Sequence, residues 1–289
     1  MIEQPSMQKQ SVHGARPLLT RFDRRIVLSG GFILLICVAA SAAPWLSPYP
    51  FDLQDTQSIL QGPNPGHWMG TDRLGRDLFS RLLYGARVSM AVGIFTALFA
   101  VIFGTVYGAV SGYWGGRTDN ILMRIVDAVY ALPDLLLIIL ITVMVGREVI
   151  GIFLALTLVS WVTVARIIRG EVLKLREFNY VEAARAVGSA HHRILFRHIL
   201  PNTLGILIVT LTFRIPAAIL AESTLSFIGL GIAPPSASWG SMANEGWSAM
   251  KFYPHLILFP SLVLFLTMVA FNVLGDALRD SFDPERGLR

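Results

Sequence analysis

The sequence has little of several residue types on which common protein chemistry depends. Its single cysteine, Cys37, cannot form an internal disulfide or a multi-cysteine metal or iron–sulfur site. Its only lysines are Lys9, Lys174 and Lys251, and none follows a glycine, so a phosphate-binding loop with a Gly-Lys pair is excluded. The HExxH, CxxC and GxSxG motifs are also missing. We therefore expect neither redox chemistry nor an ATPase site, and no enzyme activity in this chain.

Charge is scarce as well. Charged residues make up 15% of the chain, against about 25% in typical soluble domains. Hydrophobic residues make up 54%, and the mean hydropathy is +0.59. Pro 15 and Gly 25 are too few and too irregularly placed for a fibrous or disordered chain. This composition predicts an all-α polytopic membrane protein.

Six mostly apolar runs are long enough to cross a bilayer, which takes about 20 residues of helix. The predicted spans are 26–46, 88–110, 122–146, 149–166, 203–226 and 252–276. The remaining segments are an N-terminal tail at 1–25, loops at 47–87, 167–201 and 227–251, and a C-terminal tail at 277–289. A cleaved signal peptide is the alternative interpretation of the first span. It is disfavoured, because the run is longer than a usual signal core and follows a long polar lead.

The distribution of basic residues predicts the orientation. With six spans, 17 basic residues lie on the side of both termini and six on the other side, while Arg214 falls inside a span. Cytoplasmic segments carry the excess of Lys and Arg. We therefore expect both termini, and the loop 167–201, in the cytoplasm. The formal charge of +5 follows from this bias and does not indicate nucleic-acid binding.

The outer loop 47–87 is longer than a connection requires. It contains HWMGTDRLGRDLFSRLLYGAR, in which charges of both signs precede the second span. Leu78, Leu82 and Gly85 can share one face of a helix, as in an amphipathic helix lying at the membrane interface. Two interpretations stay open, an interfacial anchor and a docking surface for an extracytoplasmic partner.

The cytoplasmic loop 167–201 contains a second amphipathic pattern. Tyr180, Ala183, Ala184 and Val187 recur at helical spacing, which predicts a short helix with one small, apolar face. Glu182 and Arg185 point elsewhere, Gly188 ends the helix, and Pro201 is placed to open the fifth span. Small residues suit the close approach of another surface. From periodicity alone, a docking face for a partner and a basic connector are equally favoured.

Charged residues inside spans normally face protein or water, because a central Arg or Asp costs about 2.5–3.5 kcal/mol on insertion scales. Asp127 and Asp134 lie two helical turns apart in the third predicted span, and Arg214 and Glu222 two turns apart in the fifth. We favour structural pairing or polar lining of a pathway for these four residues over a proton relay. No metal site is expected, since His191, His192 and His198 lie on the basic loop. Gly104, Gly108 and Gly112 form a small-residue stripe suited to close helix packing.

The spacing within the cytoplasmic loop carries a resemblance. The loop resembles the EAA loop of ABC importer permeases. It contains Glu182-Ala183-Ala184, followed after three residues by Gly188 and after nine more by His198. The segment RHILPN, with His198 at a position that is apolar in most of those permeases, is similar to the dipeptide/oligopeptide/nickel branch. Further similar segments are HWMGTDRLGRDLFSRLLYGAR, SGYWGGRTDNILMRIVD, ALPDLLL, AESTLSFIGLGIAPP and AFNVLGDALRDSFDP.

This resemblance implies a type I ABC importer permease fold, with one permease domain at about 85–280 and a place in the bacterial inner membrane. The chain resembles the C-type subunit, which pairs with a homologous B-type permease, two cytoplasmic ABC ATPases and an extracytoplasmic binding protein. ATP and Mg would be bound by the ATPase subunits, and no cofactor by this chain. The implied ATPase-coupling residues are Tyr180, Glu182, Ala183, Ala184, Arg185, Gly188, His198 and Pro201.

The substrates implied by the resemblance are short peptides. Nickel or other metal chelates, glutathione and other small solutes stay open, because the binding protein does much of the selecting. A stand-alone proton-coupled carrier is a distant alternative that would need inverted repeats. A membrane-embedded hydrolase would need a nucleophile–base or metal constellation, and the sequence offers neither.

Overall fold

The computed structural model describes residues 24–282 and is built from α-helices, with no β-strand in that range. The predicted tails lie largely outside the described residues, since 1–23 and 283–289 are not covered. The helices are α1 Arg24–Ser41, α2 Ala43–Leu46, α3 Leu78–Trp114, α4 Gly116–Tyr130, α5 Asp134–Val145, α6 Val149–Leu175, α7 Asn179–Ala186, α8 His191–Ile194, α9 Leu204–Phe227, α10 Trp239–Trp247 and α11 His255–Phe282.

The long helices agree with a six-span membrane protein. Five helical stretches are long and apolar enough to cross a membrane, and they contain α1, α3, α6, α9 and α11. A sixth span results if α4 and α5, which meet at a bend of 83°, are counted as one broken span. The stretch that contains α9 already begins at His191, because π and 3₁₀ turns join α8 to α9.

The second long helix begins well before the predicted span 88–110. Asp77 caps α3, its carboxylate accepting a hydrogen bond from the Ser80 backbone N–H at 2.8 Å. The amphipathic helix predicted at the membrane interface is therefore the first part of α3, since nothing interrupts the helix before the span. Its apolar face, which includes Leu78 and Leu82, is buried in the protein together with Trp239 of α10. The interfacial-anchor interpretation is wrong for this face.

A stripe of glycines brings α3 and α6 together. A Cβ atom on Gly104 would lie 2.7 Å from Val164 Cβ, and one on Gly108 would clash with the Ala165 carbonyl oxygen. Gly112 faces the Arg169 carbonyl oxygen in the same way. The predicted close packing along this stripe is confirmed, and its partner is α6 of the same chain.

The break between α4 and α5 separates two residues that the sequence places on one helical face. Pro133 is the N-cap of α5 and has no N–H to continue the hydrogen-bonding ladder of α4. Proline also disfavours the helical conformation in the residue before it. The expectation that Asp127 and Asp134 share a face is therefore wrong, because they lie on two helices that diverge by 83°.

The predicted outer loop 227–251 contains the nine-residue helix α10. Ser238 caps it, since its hydroxyl accepts from the Ser241 N–H while the Ser241 hydroxyl interacts with the Ser238 backbone N–H. Trp239 and Met242 of α10 are buried against the first turns of α3. The loop is therefore a packed part of the domain.

Candidate functional site

The short helix α7 presents an exposed surface that includes Tyr180, Ala183 and Val187, with Val187 82% exposed. Its opposite side is anchored in the protein by Val181 and Ala184, which are 0% and 8% exposed. The placement of Ala184 on the exposed face is therefore wrong. The inward stripe was missed because Val181 and Ala184 fit the helical period as well as the predicted set does.

Polar side chains flank the exposed surface of α7. Glu182 and Arg185 are exposed, and neither forms an ion pair within residues 24–282. The two side chains therefore offer one negative and one positive group next to a small apolar patch. We refer to Tyr180, Glu182, Ala183, Arg185, Val187 and Gly188 as the α7 surface.

Gly188 ends α7 in the left-handed conformation, with φ +77°. Its N–H donates to the Arg185 carbonyl at 2.9 Å, and the next N–H, from Ser189, donates to the Ala184 carbonyl at 3.0 Å. This pair of bonds is the Schellman motif, which satisfies helix carbonyls that would otherwise lack partners. An added Cβ on Gly188 would meet no atom within 4 Å. Glycine is thus required for its backbone conformation, as the sequence predicts, and the space beside it is open.

The buried side of α7 joins a core that ties the loop to the membrane helices. Val181 and Ala184 belong to one apolar cluster with Tyr113 at the end of α3, Val126 of α4 and Val172 at the end of α6. The Tyr113 hydroxyl is also 2.9 Å from Nδ1 of His191, at the start of α8. The buried side of α7 therefore belongs to the same packed core as residues of α3, α4 and α6.

His198 and Pro201 lie where the chain changes from a π turn, Leu195–Ile199, to a 3₁₀ turn, Leu200–Thr203. Pro201 is the second residue of this 3₁₀ turn and has no N–H to donate. The Asn202 side-chain amide donates to the His198 carbonyl at 2.6 Å and to the Tyr180 hydroxyl at 3.4 Å. This amide links α7 to the helix that continues into α9, a connection that the sequence pattern did not reveal.

Two acidic residues of α4 are paired with arginines of α6. Asp127 Oδ1 lies 2.5 Å from Nη2 of Arg166, whose guanidinium also stacks 4.0 Å from the centre of the Tyr130 ring. Asp119 accepts two bonds from Arg169, both at 2.6 Å. Asp127 thus fulfils the expectation of structural pairing, on an exposed edge of the molecule.

Asp134 and Arg214 line one small cavity of about 130 Å³ between α3, α5, α6 and α9. Arg214 is half-buried and forms no hydrogen bond or ion pair within residues 24–282, although the Asp134 carboxylate lines the same cavity. Hydroxyls of Thr96, Ser160 and Thr163 complete the polar lining. The geometry therefore leaves a cationic group facing a cavity with a mixed polar and apolar lining within the helix bundle.

Glu222 is fully buried, at 0% exposure, so in this structure it lines no open pathway. Its carboxylate accepts hydrogen bonds from Ser226 at 2.7 Å and from Ser89 and Ser223 at 3.4 Å. Ser89 also accepts from the Trp239 backbone N–H at 3.2 Å. The assignment of Glu222 to a pathway is contradicted by this burial, and the residue instead joins α3, α9 and α10.

An ionic cluster that the sequence analysis missed lies at the opposite end of the molecule from α7. Arg81, 1% exposed, contacts Asp72 Oδ2 and Glu245 Oε2, each at 2.5 Å, and Arg76 contacts the same carboxylates at 2.7 and 3.0 Å. The acidic and basic residues of the loop were recognisable in the sequence. Glu245 was not, because only the fold of α10 brings it to the cluster.

A cavity of about 560 Å³ adjoins this ionic cluster. Its lining includes Asp52, Arg73 and Asn244 in addition to the clustered residues. No group of three or more His, Cys, Asp or Glu residues suited to a metal ion occurs within the described part of the chain.

Comparisons with known proteins agree on one family. Residues 100–287 match the family described as "Binding-protein-dependent transport system inner membrane component". The chain is 40% identical over 281 residues to the oligopeptide transport system permease protein OppC of Bacillus subtilis (strain 168), covering 96% of this chain and 92% of that protein. It is 44% identical over 286 residues to the dipeptide transport system permease protein DppC of the same organism, with coverages of 98% and 89%.

A further relative acts on a different named solute. The glutathione transport system permease protein GsiD of Pectobacterium atrosepticum is 43% identical over 273 residues, covering 93% of this chain and 91% of its own length. Among solved structures, an inward-facing MetNI methionine ABC transporter matches with a TM-score of 0.58 at 16% identity, covering 70% of this chain and 96% of that one. This structural likeness supports the type I importer permease fold.

Proposed function

Because the chain belongs to the family of inner membrane components of binding-protein-dependent transport systems, we propose that it works in an ATP-driven importer of short peptides. It is an integral, multi-pass permease subunit of an ABC importer. With a homologous B-type permease it would form the translocation pathway. Two cytoplasmic ABC ATPases and an extracytoplasmic binding protein would complete the complex.

The observation that carries this proposal is the α7 surface. It is exposed, it includes two charged side chains without an ion pair in the described residues, and its other side is fixed to the ends of the membrane helices. A helix that is rigidly attached on one side and open on the other suits the transmission of movement from a docked partner. We infer that this partner is the ATPase, with Ala183 and Val187 in its cleft and Glu182 in a polar contact.

The orientation follows from the same proposal. The α7 surface would face the cytoplasm, and both termini would lie on the same side, in agreement with the excess of basic residues there. The ionic cluster and its cavity would then face the binding protein. The membrane would be the bacterial inner membrane.

Energy for uptake would come from ATP and Mg bound to the ATPase subunits, since no Gly-Lys phosphate-binding loop can be formed from this sequence. Closure of the ATPase dimer would move α7, and the two permeases would alternate between inward-facing and outward-facing states. Nucleotide and binding protein would favour different states of one assembly, which is the thermodynamic meaning of their coupling.

The peptide class rests on the relatives. OppC and DppC are named for oligopeptides and dipeptides, and GsiD for glutathione, which is itself a tripeptide. Import of glutathione is therefore a second candidate function. Metal chelates and other small solutes are less favoured substrates than peptides or glutathione.

Reconstitution of the complete complex into lipid vesicles tests this function. ATP-dependent accumulation of a labelled dipeptide in the presence of the binding protein is the expected result. Parallel vesicles with labelled glutathione and with a nickel chelate separate the substrate classes. Accumulation without ATP, driven by a proton gradient, would contradict the importer.

Arg214 and Asp134 are the residues of this chain that we assign to the pathway. Replacing Arg214 with alanine should lower kcat/KM for uptake by about ten- to a hundredfold, because it would remove a hydrogen bond from a charged group to the substrate, which contributes roughly 1.5–3 kcal/mol. Uptake kinetics in the vesicles give the measurement, and Arg214→Lys should retain part of the activity. Arg124→Ala, at an exposed arginine of α4, is the matched control. Wild-type kinetics for Arg214→Ala would remove this residue from the pathway.

A further inference from the structure

Two cavities on the surface of α3 adjoin each other, since Ala91 and Val149 line both. One, of about 500 Å³, is lined entirely by apolar residues and lies between α3 and the first turns of α6. The other, of about 320 Å³, contains Arg87. Together they form a groove with an apolar body and a cationic end, which we call the α3 groove.

The apolar body has the length of one membrane leaflet. Ala91 and Ile102 mark its extent along α3, and 11 residues of helix rise by about 16 Å. Half of a hydrocarbon core about 30 Å thick is about 15 Å. The walls include the exposed side chains of Phe95, Phe99 and Ile150. An extended acyl chain of one leaflet therefore matches this body in length and polarity.

The cationic end has the composition of a headgroup site. Arg87 is exposed, lies about one helical turn before Ala91, and forms no hydrogen bond or ion pair within residues 24–282. Phe51 and Tyr84 stack beside it with ring centres 4.5 Å apart. Aromatic side chains concentrate at the level of lipid headgroups, and arginine binds phosphate with charge-assisted hydrogen bonds. The charge of Arg87 thus complements a phosphate group about one helical turn beyond the apolar body of the groove.

A transmembrane helix of the second permease is the competing occupant, and the sequence on this face disfavours it. Close pairing of membrane helices uses small residues. The small-residue stripe of α3, at Gly104 and Gly108, is already filled by Val164 and Ala165 of α6. The face that borders the groove carries large side chains, among them Phe95 and Phe99.

We propose that the α3 groove binds one glycerophospholipid, with its phosphate on Arg87 and an acyl chain between α3 and α6. This site is separate from the α7 surface and from the Asp134–Arg214 cavity. It depends only on the membrane-spanning character of the chain, so it can hold or fail independently of the transported substrate.

Photocrosslinking tests the proposal on the assembled transporter. The complex is reconstituted into vesicles of phosphatidylethanolamine and phosphatidylglycerol, containing phosphatidylethanolamine with a photoactivatable group in its acyl chain. Mass spectrometry should find the label on the segment from Phe95 to Ile102. Ala91→Trp, which fills the groove, should reduce that label by about tenfold, whereas Val106→Trp, at an exposed position of α3 outside the groove, should not.

The headgroup contact has its own variants, which leave the helix packing untouched because Arg87 is exposed. Arg87→Ala should lower the label by about tenfold, and Arg87→Lys should restore most of it. Equal labelling of the wild type, Ala91→Trp and Arg87→Ala would overturn the proposal. A crosslink from a photoreactive residue at position 99 to the second permease, in place of lipid, would also overturn it.

Discussion

Substitution of Gly188 by arginine is expected to abolish ATP-driven uptake while the protein still inserts into the membrane. Gly188 has φ +77°, and an L-residue in the left-handed conformation costs roughly 1–2 kcal/mol. The strain acts on the two hydrogen bonds that end α7, and the new side chain projects into the open space beside the α7 surface. Uptake in vesicles measures the loss of transport, and co-purification of the ATPase measures the loss of docking.

Two further substitutions at Gly188 separate strain from bulk. Asparagine tolerates the left-handed conformation better than other residues with a side chain, so Gly188→Asn should keep more ATPase on the complex than Gly188→Arg. Gly188→Ala adds the strain with little bulk, so the amount of ATPase it retains should fall between those of the other two variants.

Glu182→Lys, which reverses a charge on the same surface and leaves the backbone unchanged, should also abolish uptake. Normal uptake by Gly188→Arg or by Glu182→Lys would refute the docking role of α7.

Removal of the Arg81 side chain is expected to have the largest effect on stability. Arg81 is 1% exposed and contacts the carboxylates of Asp72 and Glu245. Breaking a buried ion pair by deleting one partner costs about 3–5 kcal/mol. Arg76 contacts the same two carboxylates, but its single positive charge cannot balance both of them. Arg81→Ala should therefore lower the melting temperature of the solubilised protein markedly and loosen α10 from α3.

Arg73 supplies the matched control for this prediction. It lies in the same loop, is exposed, and forms no ion pair within the described residues. Arg73→Ala should change stability by less than about 0.5 kcal/mol. If Arg81→Ala and Arg73→Ala melted at the same temperature, the ionic cluster would not hold the outer segment together. The double variant Arg81→Gln with Glu245→Gln should be less destabilised than Arg81→Ala, since it removes charges of both signs.

The membrane helices could be predicted from sequence because their signal is a long apolar run. Loop structure was harder to predict, since it depends on contacts between distant residues. The helix α10 follows a weak local signal, a serine cap at Ser238 with a second serine at Ser241. Its burial against α3 depends on Trp239 and Met242 meeting Leu82 from far along the chain. By hydropathy alone, the segment that contains α10 is only an apolar run interrupted by polar residues.

Contacts between distant residues were also what the sequence could not predict in the candidate sites. The spacing of the cytoplasmic loop predicted that α7 ends at Gly188, because a left-handed glycine is a local requirement. It could not decide which side of α7 is buried, since Ala184 and Ala183 fit opposite faces equally well by composition. The roles of Asp127 and Glu222 depended on Arg166 of α6 and Ser89 of α3, which come from other helices. The spacing of residues in the sequence therefore identified the charged residues but not the side chains with which they interact.

The most direct test of the central claim is to identify the proteins that co-purify with this chain. The chain would be tagged, expressed from its native operon and solubilised gently, and its partners would be identified by mass spectrometry. We expect to recover a second, homologous permease together with one or two ATPases that contain phosphate-binding loops. A homo-oligomer without any nucleotide-binding partner, under conditions that preserve a known ABC complex, would contradict it and favour a stand-alone carrier.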